Sequence, residues 1–277
     1  MVGLAAQVYD CFISDINALK PGNVGRHGAG HGMGCADFIK SAQVVTPILC
    51  NHRLGLGKRI LSSVEATLAA VNCNTNLGMV LLIAPVIRVF EQLDAPGDFR
   101  DMIKPALMSL GRQEAQDIFT AIRLANPGGL GKVDKYDVNS PLDIDIYSAM
   151  DAAKERDLIA LQYTNGYQEV VNLGIKCLQN YHNRWNSVEW AVVACYLMYM
   201  ASFPDSHIRR KYGLETAEQV RKKTQPVLEQ FGDYDNPGDA KDVLMIFDKE
   251  LKESEINPGT CADLTVASLL LYRLGVG

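Results

Sequence analysis

Leu77-Gly78-Met79-Val80-Leu81-Leu82-Ile83-Ala84-Pro85-Val86-Ile87-Arg88-Val89-Phe90 carries a single charged residue. A stretch of this length without a polar side reads as a helix buried on every face. Val188–Ala201 and Leu264–Leu274 have the same character, so three central helices are spread along the chain. The apolar run Leu77–Ile87 is too short to cross a bilayer and contains Pro85. Around these three, amphipathic spacing dominates. Leu4, Val8, Phe12 and Ile16 recur every fourth residue, and Ile60, Leu61, Val64, Leu68 and Val71 form another apolar face. Comparable periods predict helices over 36–50, 98–110, 113–125, 147–160, 166–181, 187–202, 215–231, 238–252 and 262–274. Strand-like alternation bounded by turn residues is nearly absent, and no repeat or Pro/Ser-rich linker interrupts the pattern. The expectation is an all-α fold: one compact multi-helix domain over 1–277 with buried central helices.

With 277 residues, 48% of them hydrophobic, the chain can bury one large core or two modest ones. A formal net charge of −5 gives no overall attraction for nucleic acid, although a local basic pocket for a phosphorylated small ligand is compatible with it. Seven cysteines, an odd number with no Cys-x-x-Cys pair, argue against a disulfide framework or zinc ribbon and for free thiols in a reducing compartment. Asp10 and Asp15 interrupt the first apolar stretch, so no signal peptide is read. A soluble cytoplasmic protein is expected, without membrane contact; the apolar content permits a homodimer.

Lys20-Pro21-Gly22-Asn23-Val24-Gly25-Arg26-His27-Gly28-Ala29-Gly30-His31-Gly32-Met33-Gly34-Cys35-Ala36-Asp37 concentrates six glycines among two histidines and two cations. Glycine loses the most freedom on folding, and what it offers is close backbone approach to a ligand. The loop reads as the floor of a polyanion or nucleotide site. His27 and His31 have the spacing of a helical zinc pair, but the glycines between them argue against a helix and for hydrogen bonding to a phosphate or base. Gly55-Leu56-Gly57-Lys58 lacks the upstream glycine and following Ser/Thr of a P-loop.

Further polar clusters sit at the edges of apolar helices. Asn72-Cys73-Asn74-Thr75-Asn76 precedes Leu77, with more polar groups than one cap needs, at a helix start suited to anions. Asp205-Ser206-His207 follows Pro204, which stops the preceding helix and lets the acid project; Arg209-Arg210-Lys211 comes next. Asn257-Pro258-Gly259-Thr260-Cys261-Ala262-Asp263 opens the last apolar helix. Arg156-Asp157 and Gln162-Tyr163 are weak signals alone, whereas the irregular stretch Asn126–Asp145 has the length of a functional loop.

The order of these motifs resembles the triphosphoribosyl-dephospho-coenzyme A synthase family over about residues 4–274. It runs from Lys-Pro-Gly-Asn-Val through Asn74-Thr75-Asn76-Leu77-Gly78 and Pro204-Asp205-Ser206 with Arg210 to Pro258-Gly259-Thr260 with Ala262-Asp263-Leu264. The resemblance implies an all-α transferase of cofactor biosynthesis. It would move the triphosphoribosyl group of ATP to the ribose 2′-hydroxyl of dephospho-coenzyme A, with Mg²⁺ at the triphosphate and adenine released. It further implies that Lys20, Arg26 and Arg210 hold phosphates and that Asn74 and Thr75 orient ribose. Asp205 and Asp263 would bind Mg²⁺ or act as base, and Asp15 falls where the family has a glutamate. Asn23, His27, His31, Asn76 and Thr260 complete the expected binding set. Replacing Asp205 or Asp263 by Asn is expected to abolish turnover with the fold intact.

Better-known synthases carry Asn-Gly-Ala-His followed by Asp-Met-Asp, and Val-Asn-Thr-His-Lys-Gly. Here the corresponding stretches are Ala29-Gly30-His31-Gly32-Met33-Gly34 and Cys73-Asn74-Thr75-Asn76-Leu77-Gly78. This version is similar to a divergent branch associated with archaeal-type one-carbon cofactors. Two other readings therefore stand beside the first: a different enzymatic step toward a pterin- or furan-type one-carbon cofactor, or a non-catalytic binder of a cofactor intermediate.

Overall fold

The computed structural model describes residues 3–127 and 145–276; the remainder of the Asn126–Asp145 stretch, residues 128–144, lies outside the described residues. The first half holds α1 (Leu4–Asn17), α2 (Cys35–Leu49), α3 (Leu56–Val71), α4 (Leu77–Phe90), α5 (Phe99–Met108) and α6 (Arg112–Ala125). The second half holds α7 (Ile146–Ala153), α8 (Leu158–Asn165), α9 (Ile175–Trp185), α10 (Val188–Ser202), α11 (Ser206–Tyr212), α12 (Leu214–Asp233), α13 (Lys241–Glu253) and α14 (Gly259–Arg273). The described residues form no β-strand; two isolated backbone pairings, Gly25 with Gly28 and Gly30 with Met33, lie in the glycine loop. No helix among them is long and apolar enough to cross a membrane.

The three all-apolar stretches are α4, α10 and α14. α14 packs against both α4 and α10, and α1 closes on α2, α10 and α14. Buried apolar side chains form one cluster running from Val8 to Val276. Several polar groups drawn into this core carry partners there, as burial favours. Pro85 has no N–H for the Leu81 carbonyl one turn earlier; the buried Tyr163 hydroxyl donates to that oxygen instead at 2.7 Å, and Tyr167 donates to Leu82 O at 2.9 Å. Arg59, fully buried, forks onto the Glu91 carboxylate at the end of α4 and also donates to Leu49 O and Leu54 O.

Two predicted helices are broken. The 147–160 stretch divides into α7 and α8 because the Asp157 side chain caps α8, accepting from Ile159 N and Ala160 N. The 166–181 stretch opens with Gly166 and Tyr167 at positive φ, passes through a π-turn over Val170–Gly174, and becomes regular only at Ile175. The short helix α11 lay where the sequence suggested only a polar cluster. All seven cysteines are free, four of them buried; burial pushes the Cys11 thiol up to about 12.

Candidate functional site

α4, α8, α11 and α14 all begin at one cleft of about 640 Å³, a size suited to a small-molecule ligand. Each start has a local reason. Asn74 Oδ1 accepts from Leu77 N at the head of α4, and Asp157 and Asp205 cap α8 and α11 through their carboxylates. The chain between α13 and α14 turns at Asn257-Pro258, where Pro258 cannot continue a helix from its N-terminal side. The Gly78 and Met79 N–H groups donate no hydrogen bond to the described residues. Free N–H groups in the first turn of a long helix attract anions.

Charge is divided within the cleft. Arg156, Arg209, Arg210 and Lys211 line it from α11 and the α7–α8 turn. Arg210 is held by Asp157, with Nη1 2.5 Å from Oδ2, while its buried Nε has no partner. Asp263 lines the α4–α14 side. Among the described residues no donor bonds its carboxylate. Gly78 makes room for it, since a Cβ there would overlap Asp263 Oδ2. Desolvation raises the Asp263 pKa well above its ordinary value, and Asp205 and Asp15 add to the rise; Arg210 and Lys20 oppose it. His207 also lines the cleft, and burial lowers its pKa below the ordinary imidazole value. Phe38, Phe119, Ile122 and Met150 supply apolar wall.

Of the residues expected from sequence, Asn23, His31, Asn74, Thr75, Asn76, Arg210, Thr260 and Asp263 meet at this cleft. Asp15, Lys20, Arg26, His27 and Asp205 do not line it. Arg26 and His27 are exposed, and His27 Nε2 bonds Asn17 O. The glycine loop pairs its N–H groups with its own carbonyls, Gly25 with Gly28 and Gly30 with Met33, so these amides are not left for an anion. Lys20 is buried in an ion pair with Asp15 at 2.5 Å and also donates to Asn23, which in turn donates to Asn257. It is a buried support behind the cleft, with its ammonium directed at Asp15 and Asn23.

Asp205 turns inward rather than projecting. Oδ1 accepts from His207 N and Ile208 N, and Oδ2 accepts from Cys261 N at 2.8 Å. One carboxylate thus ties the starts of α11 and α14 together and has little left for a metal or a proton. Among the described residues no group of three His, Cys, Asp or Glu could hold a metal ion. Of the two acids expected to hold Mg²⁺, Asp205 is thus tied to backbone amides, and Asp263 is the one that lines the cleft. Asp205→Asn should lower the thermal midpoint, because an amide NH₂ facing Cys261 N–H leaves a buried donor unpaired at a cost of about 1–3 kcal/mol. A melting curve indistinguishable from the parent would refute the double-cap role.

Sequence reading quoted His207, Asn257 and Asp157 within its polar clusters but did not place them among the expected site residues; all three line the cleft. Asp157 had a cap signature just before an apolar run, but its pairing with Arg210 crosses 53 positions and has no sequence signal. Phe38 and Phe119 lie on helices, where periodic apolar residues read as core.

A helical fold with a cleft where helix starts and four cationic side chains converge has the features suited to a phosphorylated small molecule. The chain belongs to the ATP:dephospho-CoA triphosphoribosyl transferase family, which it matches over residues 2–277. It is a transferase of that family, and cofactor biosynthesis is the setting that the family defines. No curated protein and no solved structure matches the chain.

Proposed function

We propose that this cleft transfers the triphosphoribosyl group of ATP to the ribose 2′-hydroxyl of dephospho-coenzyme A and releases adenine. The observation that carries the reading is the unbonded Asp263 carboxylate in the same cleft as Arg156, Arg209, Arg210 and Lys211. The cations, the Arg210 Nε and the first-turn amides of α4 hold phosphate oxygens. The acceptor oxygen attacks C1′ of the ATP ribose, and the C1′–N9 bond breaks with its electron pair leaving on adenine. Asp263 takes the hydroxyl proton, which ends on the adenine nitrogen, and its negative charge stabilises the cationic ribose as the bond breaks. Magnesium would accompany the triphosphate, as Mg²⁺ commonly does with phosphates and one or two carboxylates, and Asp263 is a cleft carboxylate that no donor among the described residues ties.

The test is incubation with MgATP and dephospho-coenzyme A, followed by separation of products. Free adenine and a coenzyme product heavier by the triphosphoribosyl group are expected. Thermal stabilisation by these ligands without adenine would instead identify a binding protein. One observation favours a second reading. Asn76 and Leu77 stand in the cleft where better-known synthases carry His and Lys, so the pocket is less cationic than theirs. Adenine release with a pterin- or furan-type acceptor, and none with dephospho-coenzyme A, would select that alternative.

A further inference from the structure

Three cleft-lining residues carry a buried polar atom with no partner: Asn76 Nδ2, Thr260 Oγ1 and Arg210 Nε. The first two belong to side chains only 4% and 1% exposed. Their neighbours make the contrast clear. Thr75, expected from sequence to orient ribose, spends its hydroxyl on Ser41 Oγ at 2.7 Å, and Asn74 spends its carbonyl on Leu77 N. Thr265 and Ser268, further along α14, donate to carbonyls one turn back, whereas Thr260 at the helix start has no such carbonyl to use. Asn76 is oriented by Thr67, whose hydroxyl donates to Oδ1 at 3.1 Å and leaves the NH₂ group as the unspent end. A buried donor without a partner is costly; other such atoms lie away from the cleft, at Ser63 and Trp185 for instance, but these two belong to cleft-lining residues, where a ligand can supply the missing partner.

We infer that Asn76 and Thr260, beside Asp263, form a neutral subsite that reads the 2′-hydroxyl of the nucleotide ribose. This rests on the nucleotide reading above and goes beyond it in naming what discriminates the substrate. Both residues sit at the starts of α4 and α14, the same two helices whose contact places Asp263 against Gly78. The four cations belong to α11 and the α7–α8 turn, so they approach the cleft from other elements than Asn76 and Thr260 do. An amide donor and a hydroxyl that both donates and accepts suit a sugar hydroxyl and offer no positive charge to a phosphate. With Asp263 at C1′, the nearest ribose hydroxyl is the 2′, carried by the adjoining carbon. Hydrogen bonds to that hydroxyl strengthen as a glycosidic bond breaks, so the subsite acts on turnover as well as on binding.

The experiment is calorimetric titration of the full chain with MgATP, Mg-2′-deoxy-ATP and inorganic triphosphate. The parent is expected to bind ATP about tenfold or more tightly than 2′-deoxy-ATP, one lost hydrogen bond in a desolvated site. Thr260→Val, nearly isosteric and breaking no protein hydrogen bond, should bring the ratio close to one with triphosphate affinity and melting temperature unchanged. Thr260→Ser should restore it. Equal binding of the two nucleotides by the parent, each displaced by triphosphate, would overturn the subsite and leave the nucleotide reading standing. Discrimination that survives Thr260→Val would overturn the assignment of Thr260. No binding of ATP or triphosphate at all would remove the nucleotide reading and the subsite with it.

Discussion

Asp263→Asn should cut turnover by about a thousandfold while the protein melts at the same temperature as the parent or higher. The loss follows from removing the proton acceptor at the reacting hydroxyl, an effect commonly of about 10²–10⁴-fold. The unchanged or raised stability follows from the surroundings of the carboxylate. No hydrogen bond holds it among the described residues, so an amide of the same shape forfeits none. The carboxylate is desolvated beside two other acids, Asp205 and Asp15. Its folded pKa lies above the ordinary 3.8, so the folded state holds this proton more tightly than the unfolded chain does. That preference favours folding below about pH 4 and is lost as pH rises through the raised folded value. The Asn variant escapes this loss, so its advantage in melting temperature should be absent in acid and grow toward neutral pH. The parent's kcat/KM should rise over the same upward range, as the base ionises. Wild-type adenine release by Asp263→Asn would discard the base assignment. A large drop in melting temperature would show instead that the carboxylate has a structural partner.

Lys20→Met should be the most destabilising single change in the cleft wall. Lys20 and Asp15 form an ion pair with 1% of either side chain exposed, and Asp15 Oδ2 is already without a partner. Removing the ammonium leaves a buried carboxylate unpaired, at a cost of about 3–5 kcal/mol. For a chain of this size that is a fall of roughly ten degrees or more in melting temperature. Burial raises the Asp15 pKa even with Lys20 present, the ammonium and its hydrogen bond opposing the rise without cancelling it. An unpaired Asp15 would therefore sooner take up a proton than stay charged. The variant should be least impaired in acid and lose stability as pH rises above about 4, the unfolded value of the carboxyl group. Pairing the change with Asp15→Asn should recover most of the loss, since the orphaned charge is gone. If Lys20→Met kept its melting temperature and lost only triphosphate affinity, Lys20 would be a phosphate ligand after all.

The fates of Asp205 and Asp263 mark how far the sequence reaches into the site. Both are acids at the edge of an apolar helix, and motif order treated them alike. Their difference depends on the Cys261 N–H, which lies within reach of Asp205 only because α11 and α14 begin side by side. The same holds for Lys20 and Arg210, both read as phosphate cations. Lys20 is consumed by Asp15 five residues earlier, whereas Arg210 keeps an unpaired Nε in the cleft. The glycine loop drew the strongest functional reading, yet among its residues 25–34 only His31 and Met33 line the cleft. Its remaining backbone closes on itself in two narrow turns, a use of glycine that composition does not distinguish from anion binding.

The sequence by itself determined the helices that run through the middle of this protein. A segment with no polar face can satisfy water nowhere, so burial of α4, α10 and α14 follows from composition and length without knowledge of any partner. It also determined which short polar stretches sit at helix starts, because caps are local. Tertiary structure alone decided which of those starts share a cleft and which way each side chain turns there. Those outcomes depend on backbone amides and charges contributed from scores of residues away, and no local pattern records what will stand beside a carboxylate once the chain has closed around it.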